Sequence, residues 1–335
     1  NGADLGWGLS GNQDNASVWM VTWNYTAITS SNNVSTVLRE AAQSYGRPWT
    51  RMAPPVEVFK NTFADKDNDS RYDATFVTSY RNNRDKLSPP DFTEYPNAND
   101  IPVGPGEAVL TFLDEDDDDV DYSGNKASIG AGSLPGRSDF VINPGGVSRV
   151  VYPGLWKLGT YRTDNNGGLG APNAGLTRPF PIAKYSEFYF IAAEAAVKGA
   201  ATQGGKSAVD LINVIRERAG KWRFDNGEQE ERIEDNSAAL VNDTPNPMTL
   251  DFILQERSRE NFGEGYRWYD LVRTQTWADI AATYSIAGNA YGDHTPQTFT
   301  RTIEPYHCLR PIPQGQLDAM DVSQAEKDTY QNPGY

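Results

Sequence analysis

The chain has few of the residues that metal, redox and nucleophilic sites use. Its 335 residues include one cysteine, Cys308, and two histidines, His294 and His307. A single cysteine excludes an intrachain disulfide and a cysteine-based zinc cage. The histidines have no recognisable metal-ligand spacing, and the G-x-S-x-G motif of serine hydrolases does not occur in the sequence. We therefore expect no cofactor.

Positive charge and long apolar runs are scarce as well. Acidic residues outnumber basic ones 45 to 30, for a net charge of −15. Nucleic acids are bound by clusters of Lys and Arg, so no nucleic acid partner is expected, and adhesion to anionic lipid is disfavoured. No stretch approaches the roughly 18 apolar residues that a membrane-spanning helix needs. The chain is instead rich in Trp, Tyr, Gly and Pro, which is typical of a folded protein with long loops.

Composition and periodicity divide the chain into two parts. Residues 1–180 are rich in aromatics, Gly, Pro and Asn, and this part is expected to be dominated by loops. One alternating run in it, Thr75 to Tyr80, predicts a strand. Residues 181–335 show helical periodicity instead. The second part is therefore predicted to be mainly helical.

The helical part opens with a predicted pair of helices. Apolar residues at helical spacing predict the first helix over Lys184 to Lys198. Its buried face is expected to carry Phe188, Ile191, Ala192 and Ala195. Ser207 and Asp210 have the spacing of a capping box, which predicts the start of the second helix, and Gly220 is its predicted C-terminal stop. The buried stripe of the second helix is expected to consist of Ala208, Leu211, Ile212, Ile215 and Ala219.

The most specific stretch of the sequence runs from Gln255 to Arg273. It reads QERSRENFGEGYRWYDLVR and predicts two short helices around a Gly-x-Gly break. Trp268 and, further along, Trp277 are expected in the core. Carboxylates four residues apart beside arginines form structural ion pairs more often than a catalytic acid–base pair. We expect ion pairs of Glu256, Glu260, Glu264 and Asp270.

This stretch resembles the C-terminal signature of the SusD-like (RagB/SusD) family of outer-membrane nutrient-binding lipoproteins, written E-R-x-x-E-L-x-F-E-G-x-R-W-x-D-L-x-R. Asn261 stands where the family has an apolar residue. Three more segments are similar to family elements and follow in family order: the turn DNDSRYDATF, the helix that opens at Lys184 in place of an Arg, and the tail with LRPIP and QNPGY. The signature positions that match are Glu256, Arg257, Glu260, Glu264, Gly265, Arg267, Trp268, Asp270, Leu271 and Arg273.

The resemblance implies a mainly α-helical fold. It would be a SusD-like α–α superhelix with a tetratricopeptide-type helix pair, long irregular loops and minor β structure, and residues 1–180 would be its ligand-facing part. Helical repeats of this kind need stacked neighbours to bury both faces of each pair. Because the sequence shows no second copy, we expect that a tetratricopeptide-rich N-terminal half, absent from this chain, covers the pair.

The resemblance also implies a function. Family members are non-catalytic, lipid-anchored proteins on the cell-surface side of the outer membrane of Bacteroidetes-type bacteria. They capture oligosaccharides and deliver them to a SusC-like TonB-dependent transporter. Trp and Tyr rings stack on sugar rings. The candidates for this contact are Trp7, Trp19, Trp23, Tyr25, Tyr80 and Tyr95. Two alternatives stay open: peptide capture, as by a RagB-like member, and glycoside hydrolysis by paired carboxylates.

An acidic run, DEDDDDVD, occupies Asp114 to Asp121. Ca²⁺ takes about six to eight oxygen ligands. The EF-hand register fails, because the position that requires Glu in that motif is Gly130. A solvated acidic loop is therefore the favoured interpretation. The alternative is a calcium site formed by Asp116, Asp118, Asp119 and Asp121.

Overall fold

A computed structural model describes residues 53–81, 108–122, 139–148, 152–155, 157, 181–225, 230–288 and 293–335. The predicted mainly α-helical fold is confirmed. Within these ranges, no helix combines the length and the apolar character needed to cross a membrane. The α-helices of these ranges are α1 (Arg71–Thr75), α2 (Tyr185–Val197), α3 (Ala208–Ala219), α4 (Ser237–Asn242), α5 (Leu250–Glu260), α6 (Arg267–Arg273), α7 (Trp277–Ala281), α8 (Gln314–Asp318) and α9 (Gln324–Tyr330). The strands are β1 (Phe76–Val77), β2 (Ser79–Arg81), β3 (Ala108–Phe112), β4 (Phe140–Ile142), β5 (Gly154–Leu155), β6 (Thr283–Ile286) and β7 (Gln297–Thr300).

The strands of the described ranges form three small sheets. β1 pairs antiparallel with β5, and β6 pairs antiparallel with β7. In the sheet β2–β3–β4, the first pair is antiparallel and the second parallel. The single strand predicted over Thr75 to Tyr80 is found as two short strands, β1 and β2, which belong to different sheets, and Thr75 is the last residue of α1. Phe76 is completely buried, and its ring centre lies 5.2 Å from those of Phe59 and Phe262. This aromatic contact joins the first sheet to the segment that follows α5.

The predicted helix pair is confirmed as α2 and α3. Ser207 precedes α3, and its Oγ accepts from the Asp210 N–H at 3.1 Å. The Asp210 carboxylate in turn accepts from the Ser207 N–H at 2.8 Å. This capping box pairs N–H groups that have no partner within the helix. The turn between the helices contains Gly204 and Gly205 at φ of 73° and 68°, where glycine has no steric cost.

The buried face of α2 differs from the prediction. Phe188 and Ile191 are 65% and 57% exposed, and Ala192 and Ala195 are only half-buried. The sequence of α2, YSEFYFIAAEAAV, has apolar residues around most of the helix, so spacing alone does not identify the side that meets α3 and α5. For α3 the predicted stripe is confirmed, with Leu211 half-buried at its edge. The core cluster of this region consists of Phe190, Ala193, Ala208, Ile212, Ile215, Met248 and Ile253.

Gly220 ends α3 as predicted, but its backbone is not in the left-handed region. Its φ is −74°, which any residue adopts. A Cβ atom at Gly220 would lie 2.5 Å from the backbone N and 2.6 Å from the Cα of Ser237, the first residue of α4. The Gly220 carbonyl also accepts from the Asn236 N–H at 2.8 Å. Glycine is needed here because α4 begins directly against the end of α3.

Gly220→Ala is therefore expected to lower the free energy of unfolding by about 1–3 kcal/mol, a typical loss when extra atoms enter filled space. Urea unfolding followed by circular dichroism measures this loss. Gly315→Ala in α8 is the matched control, because a Cβ there would have no atom within 4 Å. We expect the control to be neutral or slightly stabilising. Equal losses for the two variants would contradict the close approach at Gly220.

The C-terminal tail folds back on the segment before it. The Asn332 Nδ2 group donates to the Arg310 carbonyl at 2.6 Å, and the Tyr335 hydroxyl donates to the Leu309 carbonyl at 2.9 Å. The motifs QNPGY and LRPIP thus bind each other through main-chain carbonyls. The Arg310 guanidinium lies 4.8 Å from the centre of the Trp268 ring. The tail therefore also contacts α6, which carries the second half of the signature.

Candidate functional site

The signature forms a buried network of ion pairs that begins at Glu256. This residue of α5 is completely buried. One of its carboxylate oxygens accepts from Arg71 Nη1 at 3.0 Å, and the other accepts from Arg259 at 2.7 Å and from Arg216. Arg71 also donates to Asp69 through two hydrogen bonds, of 2.8 and 2.5 Å. The turn DNDSRYDATF is thereby tied directly to the signature.

A second group of ion pairs surrounds Glu260 and Glu264. One oxygen of Glu260 lies 3.3 Å from Lys184 Nζ, and the other accepts from Arg218. Glu264 Oε1 lies 2.6 Å from Lys157 Nζ and 3.1 Å from Lys184 Nζ. Lys184, which stands in place of the family's Arg, therefore links two carboxylates of the signature.

Asp270 of α6 is the third centre of the network. One of its oxygens accepts from Arg257 Nε at 2.7 Å, and the other accepts from Arg273 Nε at 3.0 Å. Arg257 continues to Glu187 at 2.9 Å, and Arg273 continues to Glu194 at 2.7 Å. Because both glutamates lie on α2, ion pairs join three of the four segments that carry the family resemblance.

The positive groups around these carboxyls control their ionisation. Burial alone would raise the pKa of Glu256, but the guanidiniums around it, Arg71 foremost, hold that pKa well below its ordinary value. Burial likewise opposes ionisation of Glu260, and Lys184 and Arg218 nevertheless lower its pKa. A glycosidase needs one carboxyl with a raised pKa as its general acid. These two carboxyls are shifted in the opposite direction, which is unsuited to that role.

The lowered pKa values make the fold sensitive to acid. A Glu with a lower pKa in the folded chain stabilises the fold above its unfolded pKa of about 4.3. That contribution is lost as the pH falls through the folded value. We expect the free energy of unfolding to change little from pH 7 to about pH 5. Below that it should fall by up to about 1.4 kcal/mol per pH unit for each such carboxyl.

Urea unfolding at about pH 7, 5 and 3 tests this pH dependence. The Glu256→Gln variant is the control, because it lacks one of the carboxyls with a lowered pKa. It should lose less stability between about pH 5 and pH 3 than the unmodified protein. Equal losses in the two proteins would show that Glu256 does not contribute.

A cavity of about 120 Å³ lies beside the signature, between α5, α6 and β6. Its wall includes Asn261, the residue that departs from the family's apolar position. Asn261 is 5% exposed, and its Nδ2 has no hydrogen-bond partner in the described ranges. Arg301 forms another part of the wall, with its guanidinium 4.7 Å from the Tyr284 ring centre. Because one buried water needs about 15 Å³, the cavity has room for several waters.

The aromatic residues predicted to bind sugar fall largely outside the described residues. Tyr80 is the exception: it is the middle residue of β2 and pairs with Leu110 of β3. Stacking on a sugar stays a prediction for all six candidates. Those outside the described residues are Trp7, Trp19, Trp23, Tyr25 and Tyr95.

Trp268 and Trp277 are half-buried, so the prediction that they belong to the core is wrong. Their rings meet edge to face at 6.2 Å, and Trp268 also contacts Tyr269, which is 64% exposed. The reason is the orientation of the two short helices. α6 and α7 turn Leu271 and Ala281 toward the core and leave the tryptophan side partly open.

The acidic run lies on the loop after β3. The Asp116 carboxylate forms an ion pair with Lys60 and accepts from the Gly145 N–H at 2.9 Å. In the ranges that the structure covers, no group of three or more His, Cys, Asp and Glu side chains is placed to hold a metal ion. The remaining residues of the calcium alternative are exposed or half-buried: Asp118, Asp119 and Asp121.

Both histidines contact other residues of the protein. His294 is buried, its Nδ1 lies 3.0 Å from the Gly146 carbonyl oxygen, and its ring stacks on Tyr122 at 4.3 Å. His307 Nδ1 accepts from the Glu304 N–H at 2.9 Å. These contacts account for the histidines as packing and capping residues.

Comparison with known proteins identifies the family. The SusD family matches residues 9–335, so the chain belongs to the SusD family. No curated protein matches it significantly. The structure is similar to that of a SusD-like protein from Bacteroides fragilis, with 16% identity and a TM-score of 0.41, over 97% of this chain and 52% of that one.

Two further solved structures are similar as well. Surface glycan-binding protein A from Bacteroides thetaiotaomicron has 19% identity and a TM-score of 0.35, over 92% of this chain and 61% of that one. The same protein in complex with laminarihexaose has 19% identity and a TM-score of 0.35, over 96% and 62%. The chain thus spans about half to three fifths of the length of these structures.

Proposed function

We propose that the chain is part of a non-catalytic protein of the bacterial cell surface that captures oligosaccharides. The observation that carries this proposal is membership of the SusD family over residues 9–335. The proposal includes a lipid anchor in the outer membrane and delivery of the ligand to a SusC-like TonB-dependent transporter. Capture would use stacking of Trp and Tyr on sugar rings and hydrogen bonds to sugar hydroxyls.

The electrostatics of the signature support binding without bond cleavage. Glycoside hydrolysis uses two carboxyls about 5–10 Å apart, one of which must carry a proton. Glu256, Glu260 and Asp270 are buried and engaged with arginines, and Glu264 is engaged with lysines. The pKa values of Glu256 and Glu260 are lowered by these cations, which is the opposite of what a general acid needs.

Affinity electrophoresis tests the proposal directly. The 335-residue chain would be run through gels that contain starch, laminarin, xylan or mannan, followed by calorimetry with the matching oligosaccharides. We expect at least one glycan to retard the protein, with saturable binding and no release of reducing ends from the same glycan. Release at enzymatic rates would overturn the non-catalytic role. Binding of peptides alone would overturn the choice of glycans.

Single alanine variants would then locate the stacking residues. Trp7→Ala, Trp19→Ala and Trp23→Ala test the predicted ligand contacts. Trp268→Ala is the control, because Trp268 contacts Arg310 and belongs to the signature. We expect weaker retardation from at least one of the first three variants and unchanged retardation from the control.

We also propose that a further helical segment, the tetratricopeptide-rich N-terminal half of the protein, covers α2. Tyr185, Phe188 and Ile191 are 75%, 65% and 57% exposed, and Ile182 just before the helix is 89% exposed. The Tyr185 and Phe188 rings lie 6.0 Å apart. Large apolar side chains that gather on one helix face are typical of a surface that packs against another element.

A further inference from the structure

We infer that strand β7 is a self-association surface, on which β7 of a second copy of this chain pairs antiparallel. The result is one continuous sheet, β6–β7–β7′–β6′, in which a prime marks the second copy. Such pairing goes beyond the proposed function and does not depend on it. β7 pairs with β6 on one side, and within the described ranges no strand pairs with its other side. The edge of a sheet presents N–H and C=O groups that a further strand can use.

The two edges of this hairpin differ. On the β6 edge, the Glu57 carboxylate accepts from the Ser285 N–H at 3.0 Å, and Ala287, just after β6, forms a bridge with Ser148. The protein itself therefore occupies the β6 edge. On the β7 edge, all residues of the run 295–302 are exposed. A second strand can therefore approach β7 along its whole length.

The pairing with β6 determines which main-chain groups of β7 point outward. Thr298 lies opposite Ser285, whose N–H points away from β7. In an antiparallel pair, residues directly opposite each other exchange both of their hydrogen bonds or neither of them. Thr298 and, two residues on, Thr300 therefore direct their N–H and C=O groups away from β6. The Arg301 N–H donates to the Ala282 carbonyl at 2.7 Å, which agrees with this alternation.

One antiparallel register pairs these outward groups in both copies. It places Thr298 of each copy opposite Thr300 of the other, so that their N–H and C=O groups bond across a two-fold axis. Phe299 then lies on the axis, opposite itself. A shift of two residues toward Pro296 would lose a donor, because proline has no N–H. A shift the other way would run past the end of β7 toward Ile303, which is half-buried.

The side chains of β7 are self-complementary in this register. Phe299 meets its own copy at a position without hydrogen bonds, where opposite side chains come closest. Its ring already stacks on Tyr284 at 5.5 Å, so the new contact extends an existing aromatic pair. Gln297 lies opposite Arg301 of the other copy, an amide that can accept from a guanidinium. Aromatic and polar pairs of this kind stabilise neighbouring strands, and no like charges face each other.

β7 also lacks the features that protect sheet edges from pairing. Proteins place Lys, Pro, bulges or inward-pointing charges at such edges. The sequence of β7 is QTFT, and its register with β6 is continuous. The contact is small, and interfaces under about 1,200 Å² are mostly weak, so we expect a dimer that forms only at high protein concentration. Because the net charge of −15 makes two copies repel each other, added salt should favour the dimer.

Disulfide trapping tests the register. In a Cys308→Ser background, which has no other cysteine, Phe299→Cys places two thiols opposite each other with Cα atoms about 4.5 Å apart, a distance that a disulfide spans. Gln297→Cys is the matched control on the same face of β7, because its two copies would lie about 13 Å or more apart. With copper phenanthroline as oxidant, Phe299→Cys should cross-link at least about 10-fold faster. Equal rates, or no cross-linking of Phe299→Cys, would overturn the inference.

Charge variants at the two-fold axis test the dimer without a cross-link. In sedimentation equilibrium, the average mass of the unmodified chain should rise above 37.0 kDa with concentration and rise further with salt. Phe299→Lys and Phe299→Glu should each stay at the mass of one chain, because like charges would then lie opposite each other. A mixture of these two variants should dimerise again, because opposite charges then meet on the axis.

Thr283→Lys is the control for the added charge, because Thr283 is exposed on β6 and does not contact the second copy. It should associate as the unmodified chain does, and circular dichroism checks that every variant is folded. Three results would each overturn the inference. They are a single-chain mass of the unmodified protein up to about 0.3 mM, a mixture that associates no better than its components, and equal loss of association in Thr283→Lys.

Discussion

Glu256→Gln is expected to lower the free energy of unfolding by about 3–5 kcal/mol, the range for removal of one partner from a buried ion pair. Glutamine keeps the size of the side chain but removes the charge that Arg71, Arg216 and Arg259 share. Because the Glu256 side chain is completely buried, water cannot replace its charge without local unfolding. The measurement is urea unfolding near pH 7.

A surface glutamate provides the matched control for this large effect. Glu217 lies on α3, its side chain is 60% exposed, and it pairs with Lys221 at 3.7 Å. Exposed pairs of this kind contribute at most about 1 kcal/mol, so Glu217→Gln should be nearly neutral. If Glu256→Gln lowered the free energy of unfolding no more than Glu217→Gln does, the charge of Glu256 would not be needed to balance the arginines around it.

A double-variant cycle tests whether Glu256 and Arg216 act as a unit. Arg216→Gln alone should also destabilise the protein, because Arg216 donates both to Glu256 and, at 2.9 Å, to the Leu240 carbonyl. The double variant should lose about 1–3 kcal/mol less than the sum of the single losses, since each single variant leaves the other charge short of a partner. Strict additivity would contradict a direct pairing in the buried network.

The features that sequence reasoning predicted well depend on residues that are close along the chain. The capping box of Ser207 and Asp210 and the break at Gly263 and Gly265 are decided locally, by hydrogen bonds within one turn and by glycines at φ of 78° and 85°. The family could be recognised because its motifs combine many such positions. Tertiary partners were not predictable in the same way.

Periodicity did not predict which arginines pair with the carboxylates of the signature. For one of these arginines, however, the sequence of α3 carries a signal. Arg216 contacts Glu256 and Arg218 contacts Glu260, although α3 and α5 are separated in sequence. Periodicity alone does not predict which carboxylate an arginine pairs with. Arg216 does, however, directly follow Ile215 of the buried stripe of α3. A charged residue at a buried helical position predicts a buried partner of opposite charge.

The proximity of Ser79 and Trp222 could not have been predicted from spacing. Ser79 and Trp222 lie on segments far apart in sequence, and the residues after α3 show no helical or strand period. The structure brings the segments together because the start of α1 is bound to the end of α3, where the Ser70 N–H donates to the Ala219 carbonyl at 3.0 Å. Such a long-range main-chain contact leaves no periodic pattern in either segment.

A second large loss of stability is expected when a side chain on the buried face of α2 is truncated. Phe190→Ala is expected to lower the free energy of unfolding by about 3–5 kcal/mol, the usual range for a buried phenylalanine. Phe190 is completely buried, belongs to the cluster with Ile212 and Ile253, and has the Arg257 guanidinium 5.2 Å from its ring centre. Its removal leaves a cavity at the junction of α2, α3 and α5.

Phe188→Ala is the matched control on the same helix, because Phe188 is 65% exposed. In the 335-residue chain it should change the free energy of unfolding by no more than about 0.5 kcal/mol. A loss comparable to that of Phe190→Ala would show that α2 is rotated relative to the structure described. In a longer protein that includes the proposed N-terminal half, Phe188→Ala should become destabilising while Phe190→Ala keeps its effect. If Phe188→Ala stayed neutral there, the N-terminal half would not cover this face of α2.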